Sequence, residues 1–238
     1  MSVPVESGQE LDEHFTGLAD VNGLISVAGF GSLLSRSSAA STFPELQNFR
    51  SGKVKGYRRI FAHTASVFFQ RGIARPETTE ISSLSCEPCH GEELIVSVFE
   101  IPGNADAVKA FLVREHEFKL VAVQTWSPED TPTPGLAVLC TRWDDRSYRA
   151  CRCPPDEWDR RYTQFGINRV WRDDVLPCRV YLRHCVLAAH KLGPSAHENF
   201  LDHTYLADRQ TTIRQYLDVN PSIMTGEPPL SVIDRYSG

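Results

Sequence analysis

One carboxylate continues the apolar face of a helix predicted near the middle of the chain. Residues 105–118 read ADAVKAFLVREHEF, and apolar side chains recur at helical spacing from Val108 until Glu115 takes the next position on that face. At about 100° per residue, Glu115 lies within about 20° of Val108. Glu117 lies about 180° away, so a helix that reaches it directs Glu117 outward. Glu115 is therefore the candidate for acid–base chemistry.

Two interpretations of Glu115 remain open from the residues alone. Burial disfavours the ionised form of a carboxyl and so raises its pKa, which suits a group that takes and returns a proton near neutral pH. The alternative is a structural ion pair, because an unpaired buried carboxylate is costly. The candidate partners for such a pair are Arg58, Arg59 and Arg71.

The second candidate element is the glycine-containing loop in SVAGFGSLLSR, residues 26–36. It lacks the third glycine of a dinucleotide fingerprint, the lysine of a phosphate-binding loop and the second glycine of a nucleophile elbow. A glycine at position 31 permits a sharp bend, after which the amides of residues 32–34 can face one concavity that suits a carboxylate or an oxyanion. The alternative is a plain strand-to-turn glycine pair.

The composition excludes several classes of function. The chain has 238 residues, a net charge of −5 and no strongly basic block, so it predicts neither a nucleic-acid partner nor a membrane-surface partner. Its N-terminus lacks the apolar core of a signal peptide, and no apolar run reaches membrane-spanning length. The seven cysteines, an odd number, favour reduced thiols in a cytoplasmic protein.

The cysteine spacing offers a weak metal-site alternative. Cys86 and Cys89 form a C-x-x-C, and Cys151 and Cys153 form a C-x-C. Pro88 interrupts the first pair and prolines follow the second, which favours thiols in loops over a zinc site. We therefore expect no metal site at these cysteines.

The remaining pattern predicts one α+β domain. Residues 1–22 are polar and aperiodic and predict a flexible arm, and residues 23–238 form a single domain. Strand patterns dominate its first half, including a hairpin that turns at residues 86–91, and helices dominate its last third. One strand–helix–strand crossover favours a mixed barrel or sheet with surrounding helices over regular βαβα winding.

Three local signals refine these elements. Asn104 is a good N-cap for the helix that carries Glu115. Gly166 suits the end of a helix, and Ser195 with Glu198 fits a capping box that opens another. The last segment, from residue 219, has no periodicity and predicts an extended arm.

Several short motifs together resemble the γ-glutamyl cyclotransferase superfamily. Phe30-Gly31-Ser32-Leu33 is similar to its Tyr-Gly-Ser/Thr-Leu loop after the first strand, with phenylalanine in place of tyrosine. Further segments resemble its ChaC-type, glutathione-specific branch in the same order, over about residues 24–205. These are GYRRIF at 56–61, Arg71-Gly72, FLVREHEF at 111–118 and GPSAHENFL at 193–201.

The resemblance implies a γ-glutamyl cyclotransferase-like mixed barrel with a helical C-terminal extension, and a reaction. Glu115 matches the catalytic glutamate, and the resemblance assigns substrate binding to Phe30, Gly31, Ser32, Leu33 and Arg71. It implies that a γ-glutamyl peptide or amine is converted to 5-oxoproline and a free amino acid, peptide or amine, without metal or cofactor.

Other functions stay open on the same residues. A non-catalytic pocket for a γ-glutamyl or amino-acid-like ligand fits the phenylalanine at position 30. A different acyl chemistry on the same fold retains Glu115 and changes only the pocket walls. A helix-mediated interaction protein needs no pocket, so a cavity that joins Gly31 to Glu115 separates it from the others.

Overall fold

The strands of the chain form one sheet that closes into a barrel, in a computed structural model that describes residues 5–238. The strands are β1 (Leu24–Gly29), β2 (Gln47–Thr64), β3 (Glu80–Pro102), β4 (Lys119–Trp126), β5 (Pro132–Thr141), β6 (Leu176–Pro177) and β7 (Thr204–Leu206). The helices are α1 (Arg36–Ala40), α2 (Ser66–Gln70), α3 (Ala105–Arg114), α4 (Asp145–Cys151), α5 (Pro155–Arg161), α6 (Arg179–Leu192), α7 (Pro194–Asp202), α8 (Ile213–Val219), α9 (Ser222–Thr225) and α10 (Ile233–Tyr236). Single 3-10 turns span Ser32–Leu34, Thr163–Phe165 and Leu230–Val232.

The barrel follows the strand order β3-β1-β5-β4-β2, and pairing between β2 and β3 closes it. The β1–β5 pair is parallel and the other barrel pairs are antiparallel. The short strands β6 and β7 extend the sheet beside β3 and β2. The predicted α+β class, a mixed barrel with surrounding helices and a helical C-terminal third, is confirmed.

The predicted hairpin at residues 86–91 is wrong, because β3 runs through that segment without turning back. It pairs with β2 from Thr64 opposite Ser82 to Gln47 opposite Glu100. Register shifts along the pair, one of them beside Gly56, absorb the irregular residues. The pairing along a long partner strand thus outweighs the local turn preference of the proline and glycine in this segment.

Residues 5–22 are packed, which corrects the prediction of a flexible arm for that range. Leu11, Phe15 and Leu18 are buried in the main core. Backbone hydrogen bonds join this segment to β4, including Leu11 N–H to Leu120 O at 2.9 Å. Phe15 also packs edge-on against Phe111 of α3, with ring centroids 5.5 Å apart. The segment can pack here because β4 pairs with β2 only at Trp126, which leaves the rest of that edge of β4 free to bond residues 8–11.

The helix ends follow some local signals and not others. The Asn104 side chain accepts from Ala107 N–H at 2.9 Å, and Gly166 adopts a left-handed conformation with φ 68°, as predicted. The capping box at Ser195 is wrong, since α7 begins at Pro194, whose fixed φ suits a first helical position. A capping box occurs instead at the start of α8, between Thr212 and Gln215.

The segment after residue 219 is partly helical and is not the extended arm that its aperiodic sequence predicts. It forms α9, a 3-10 turn and α10. Tyr236 of α10 is buried against His184 of α6, with ring centroids 5.6 Å apart. Such short helices have little intrinsic stability, so packing against α6 fixes them.

The cysteines are unpaired, and most of them are buried, including Cys86 and Cys153. Among residues 5–238, no group of three or more His, Cys, Asp or Glu side chains is arranged to hold a metal ion. Nor does that part of the chain contain a helix with the length and apolarity needed to cross a bilayer.

A buried arginine connects the barrel to α7 and to the loop after β1. Arg59 is fully buried and donates to Phe30 O at 3.0 Å and to Asn199 Oδ1 at 3.0 Å. The Asn199 amide also accepts from Ile95 N–H and donates to Glu93 O. This asparagine therefore satisfies the guanidinium and two backbone groups of β3 at once.

We expect Asn199→Ala to lower the free energy of unfolding by about 2–4 kcal/mol, because it leaves several buried polar groups without partners. Urea unfolding measures the change. Asn168→Ala, at an exposed site, is the matched control and stays within about 0.5 kcal/mol of wild type. Equal stability of the two variants would contradict the role given to Asn199.

Candidate functional site

A cavity of about 590 Å³ opens where β1 ends, and every site residue predicted from the sequence lines it. Those residues are Phe30, Gly31, Ser32, Leu33, Arg71 and Glu115. The volume is in the range that holds a small organic ligand. The loop after β1 and the end of α3 thus meet at one pocket, although more than eighty positions separate Gly31 from Glu115.

The loop after β1 forms a tight turn, but not all of its amides are free, which corrects part of the predicted amide nest. Leu34 N–H donates to Gly31 O at 2.9 Å within the turn. Ser32 N–H lies 3.3 Å from the hydroxyl of Tyr181, a residue of α6. Within residues 5–238, the Leu33 amide has no hydrogen-bond acceptor. The Leu33 amide and, beside it, the Ser32 hydroxyl are therefore among the free donors on this wall.

Gly31 is required because the Tyr181 hydroxyl approaches the backbone closely. A Cβ placed on Gly31 would lie 2.7 Å from that hydroxyl. The Tyr181 ring is itself buried and contacts Phe68 and Phe61. The glycine is therefore explained by a close side-chain approach rather than by a bound phosphate.

The carboxyl of Glu115 lies at the end of α3. The helix stops at Arg114, and Glu115 is its C-cap, with N–H bonded to Phe111 O at 2.9 Å. Arg114 Nε lies 3.0 Å from Glu115 Oε1. The other end of the same guanidinium donates to Ser32 Oγ at 3.1 Å and to Ser38 O at 3.0 Å. Arg114 therefore fixes Glu115 relative to the loop after β1.

The environment of Glu115 favours its neutral form. Burial raises the pKa of its carboxyl above the ordinary value, and the negative charge of Glu117 adds to the rise. The charge and hydrogen bond of Arg114 oppose the shift without cancelling it. A carboxyl with a raised pKa next to a ligand-sized cavity is suited to proton transfer.

Glu117 is mostly buried, with its side chain 13% exposed, and lines the same cavity, so the expectation that it faces outward is wrong. The chain leaves the helix after Arg114 and turns, which brings Glu117 inward. Its Oε1 accepts from the Tyr162 hydroxyl at 2.5 Å, and its Oε2 lies 3.1 Å from His63 Nε2. Burial alone would raise the pKa of Glu117, but the His63 and Tyr162 contacts outweigh burial, so its pKa is lowered.

The arginines considered as ion-pair partners of Glu115 bind elsewhere. Arg58 pairs with Glu87 at 2.6 Å, and Arg59 bonds the Phe30 carbonyl. Arg71 lines the cavity, where its Nη1 donates to the Tyr236 hydroxyl at 2.7 Å. The ion pair of Glu115 is instead with its neighbour in the chain, Arg114.

The Phe30 ring packs into the core, and this residue offers no side-chain polar group to the cavity. The residue is 7% exposed, and its ring packs edge-on against Phe118, with centroids 6.4 Å apart. The Tyr181 hydroxyl lies beside the loop, 3.3 Å from Ser32 N.

The sequence pattern missed several polar residues of the site, namely Arg114, Glu117, His63, Tyr181 and Arg235. Arg114 and Glu117 lie in the same motif as Glu115, although helical spacing directs Glu117 outward. The other three come from β2, α6 and α10. No spacing along the chain relates these segments, so only tertiary packing brings them together.

Among known proteins, only solved structures show a similarity to this chain. No family model matches the chain. No curated protein matches it either. Similar solved structures include an uncharacterized protein from Homo sapiens, with 11% identity over 51% of this chain and 68% of that chain and a TM-score of 0.41.

Two further neighbours are cyclotransferases by name. One is a γ-glutamyl cyclotransferase, with 14% identity over 51% of this chain and 69% of that chain and a TM-score of 0.38. The other is a glutathione-specific γ-glutamyl cyclotransferase from yeast, with 14% identity over 86% of this chain and 96% of that chain and a TM-score of 0.44. The family that the motifs resemble is thus present among the structural neighbours. At these low identities and TM-scores, the neighbours assign no chemistry to this chain.

We expect Gly31→Ala to lower the free energy of unfolding by about 1–3 kcal/mol, because the new methyl group overlaps the Tyr181 hydroxyl. The loss should be smaller in a Tyr181→Phe background, where that hydroxyl is absent. Urea unfolding of both single variants and the double variant measures the coupling. Gly226→Ala, where a Cβ makes only ordinary contacts, is the control. An equal loss in both backgrounds would refute the proposed clash.

Proposed function

We propose that this protein is a γ-glutamyl cyclotransferase that releases 5-oxoproline from a γ-glutamyl peptide or amine, glutathione included, with Glu115 as the general acid and base. The observation that carries the proposal is the shared cavity, which joins the loop at Gly31 to the buried carboxyl of Glu115. A protein that acted only through its helical surface would need no such cavity.

The two glutamates differ in the way that proton transfer requires. Both oxygens of Glu117 contact neighbours, namely Tyr162 and His63, and its pKa is lowered. Glu115 is held by Arg114 through one oxygen, Oε1, and its pKa is raised. Where two carboxyls have opposite environments, the one with the raised pKa is the better proton carrier. This favours Glu115 over Glu117.

The reaction follows from an intramolecular attack. The carboxylate of Glu115 takes a proton from the α-ammonium of the substrate, and the free amine attacks the γ-carbonyl carbon of the same molecule. A five-membered lactam forms as the bond from the γ-carbonyl carbon to the leaving nitrogen breaks. Glu115 then returns its proton to that nitrogen and relays the second proton lost by the ring nitrogen to the same group. The leaving amine therefore departs as an ammonium, the Glu115 carboxylate is regenerated and no cofactor is consumed.

The cavity walls contribute orientation and charge stabilisation. The Leu33 amide and the Ser32 hydroxyl are the donors for the γ-carbonyl oxygen, which becomes negatively charged during attack. The α-carboxylate binds on the same wall, beside Arg114. Holding the substrate folded brings its amine to its own carbonyl, which lowers the entropic part of the barrier.

We expect Glu115→Gln to lower kcat/KM for 5-oxoproline release by at least about 100-fold, because glutamine cannot carry the proton. The assay measures 5-oxoproline from glutathione, γ-glutamyl dipeptides and γ-glutamyl amines. Glu117→Gln is the matched control, and its kcat/KM should fall much less. Full activity in Glu115→Gln would show that Glu115 is not the general acid and base. A loss of activity confined to Glu117→Gln would assign that role to Glu117 instead. Ligand-induced thermal stabilisation of the wild type without product would indicate a binding protein.

The pH dependence provides a second test of the same roles. The base must be ionised, so kcat/KM rises as the pH passes the pKa of Glu115, which lies above the ordinary 4.5. In Glu117→Gln a neighbouring negative charge is lost, which favours ionisation of Glu115. We therefore expect the acid limb of the kcat/KM profile to move to lower pH in Glu117→Gln. An acid limb that is unchanged, or that moves to higher pH, would contradict the effect of the Glu117 charge on the pKa of Glu115.

A further inference from the structure

Guanidinium groups from distant parts of the chain line the cavity. Arg71 follows α2 and Arg235 lies in α10, while Arg114 and Arg161 come from α3 and α5. The carboxylates that line the same cavity are Glu115 and Glu117. Positive charge therefore exceeds negative charge around a space that holds a small molecule.

Two of these arginines have a carboxylate partner and two do not. Arg114 pairs with Glu115 at 3.0 Å, and Arg161 pairs with Glu157 at 2.7 Å. Within residues 5–238, no carboxylate lies within 4.0 Å of Arg71 or Arg235. Partial burial and the like charges of Arg71 and Arg114 lower the pKa of Arg235. An anion bound between Arg71 and Arg235 would relieve this repulsion.

Packing positions the Arg71 side chain and the chain segment that carries Arg235. Arg71 Nη1 donates to the Tyr236 hydroxyl at 2.7 Å, and the guanidinium lies 5.9 Å from the centroid of that ring. Tyr236 is 3% exposed. Next to it, Gly238 N–H donates to His184 Nδ1 at 3.0 Å and Lys191 Nζ donates to Ser237 O. Residues 233–238 therefore form a fixed wall of the cavity, which reduces the entropic cost of binding.

We propose that Arg71 and Arg235 bind a carboxylate on the leaving portion of the substrate, so that this site favours γ-glutamyl amino acids and peptides over γ-glutamyl amines. The inference rests on the function proposed above. A γ-glutamyl group has a single carboxylate, which that mechanism places beside Arg114. A second acidic group is needed to match the Arg71–Arg235 pair, and planar guanidinium groups bind carboxylates with two hydrogen bonds.

The test compares two substrates that differ only in this carboxylate, γ-glutamylglycine and γ-glutamylmethylamide. For wild type, we expect kcat/KM to be about 10- to 100-fold higher for γ-glutamylglycine, since a charge-assisted hydrogen bond contributes about that much. In Arg235→Gln this preference should fall towards one, and Arg235→Lys should restore part of it. Arg146→Gln, an exposed arginine outside the cavity, is the matched control and keeps the wild-type preference.

Binding measurements separate failure of this subsite from failure of the proposed reaction. Calorimetry of Glu115→Gln with each compound reports the subsite without turnover, and tighter binding of γ-glutamylglycine is expected. Wild type that binds γ-glutamylglycine but releases no 5-oxoproline would refute the reaction and keep the subsite. Equal affinity for the two compounds, or an Arg235→Gln preference equal to wild type, would overturn the subsite. Thermal unfolding of Arg235→Gln, at an exposed position, checks that the fold is retained.

Discussion

The contacts of the Arg114 guanidinium determine the arrangement of the site. One side chain binds the Glu115 carboxylate, the Ser32 hydroxyl and the Ser38 carbonyl, and so joins the end of α3 to the loop after β1 and to α1. The planar, rigid group fixes several directions at once, which a lysine ammonium on a flexible stem cannot do. The distance between the acid and the loop is therefore determined by one residue rather than by the barrel alone.

The two glutamates show how neighbouring positions in a chain acquire different chemistry. Glu115 remains at the helix end, where burial raises its pKa. Two residues later the chain has left the helix, and Glu117 contacts His63 and Tyr162, which lower its pKa. The buried negative charge of Glu117 in turn favours the protonated form of Glu115. A pair of this kind stores a proton on one carboxyl without a metal ion.

Structure was predicted correctly from the local sequence where the stabilising contacts lie within one segment. The Asn104 cap, the strands β4 and β5, and the position of Glu115 follow from residue type and spacing. It failed where a segment is stabilised by a distant partner. Strand β3 passes through residues 86–91 because β2 pairs along its length, and residues 5–22 are packed because β4 offers them an edge. Neither partner is visible in the segment itself.

By itself, the sequence determined the α+β class, the glycine loop at Gly31 and a single carboxylate on an apolar helix face, since these depend on contacts within a few residues. The tertiary structure alone decided which groups surround that carboxylate. It turned Glu117 inward, brought the Tyr181 hydroxyl onto the loop, and placed Arg235 in the cavity wall. The physical reason is that a pocket is built from long-range packing, and the free energy of burying each side chain depends on partners that sequence distance does not encode.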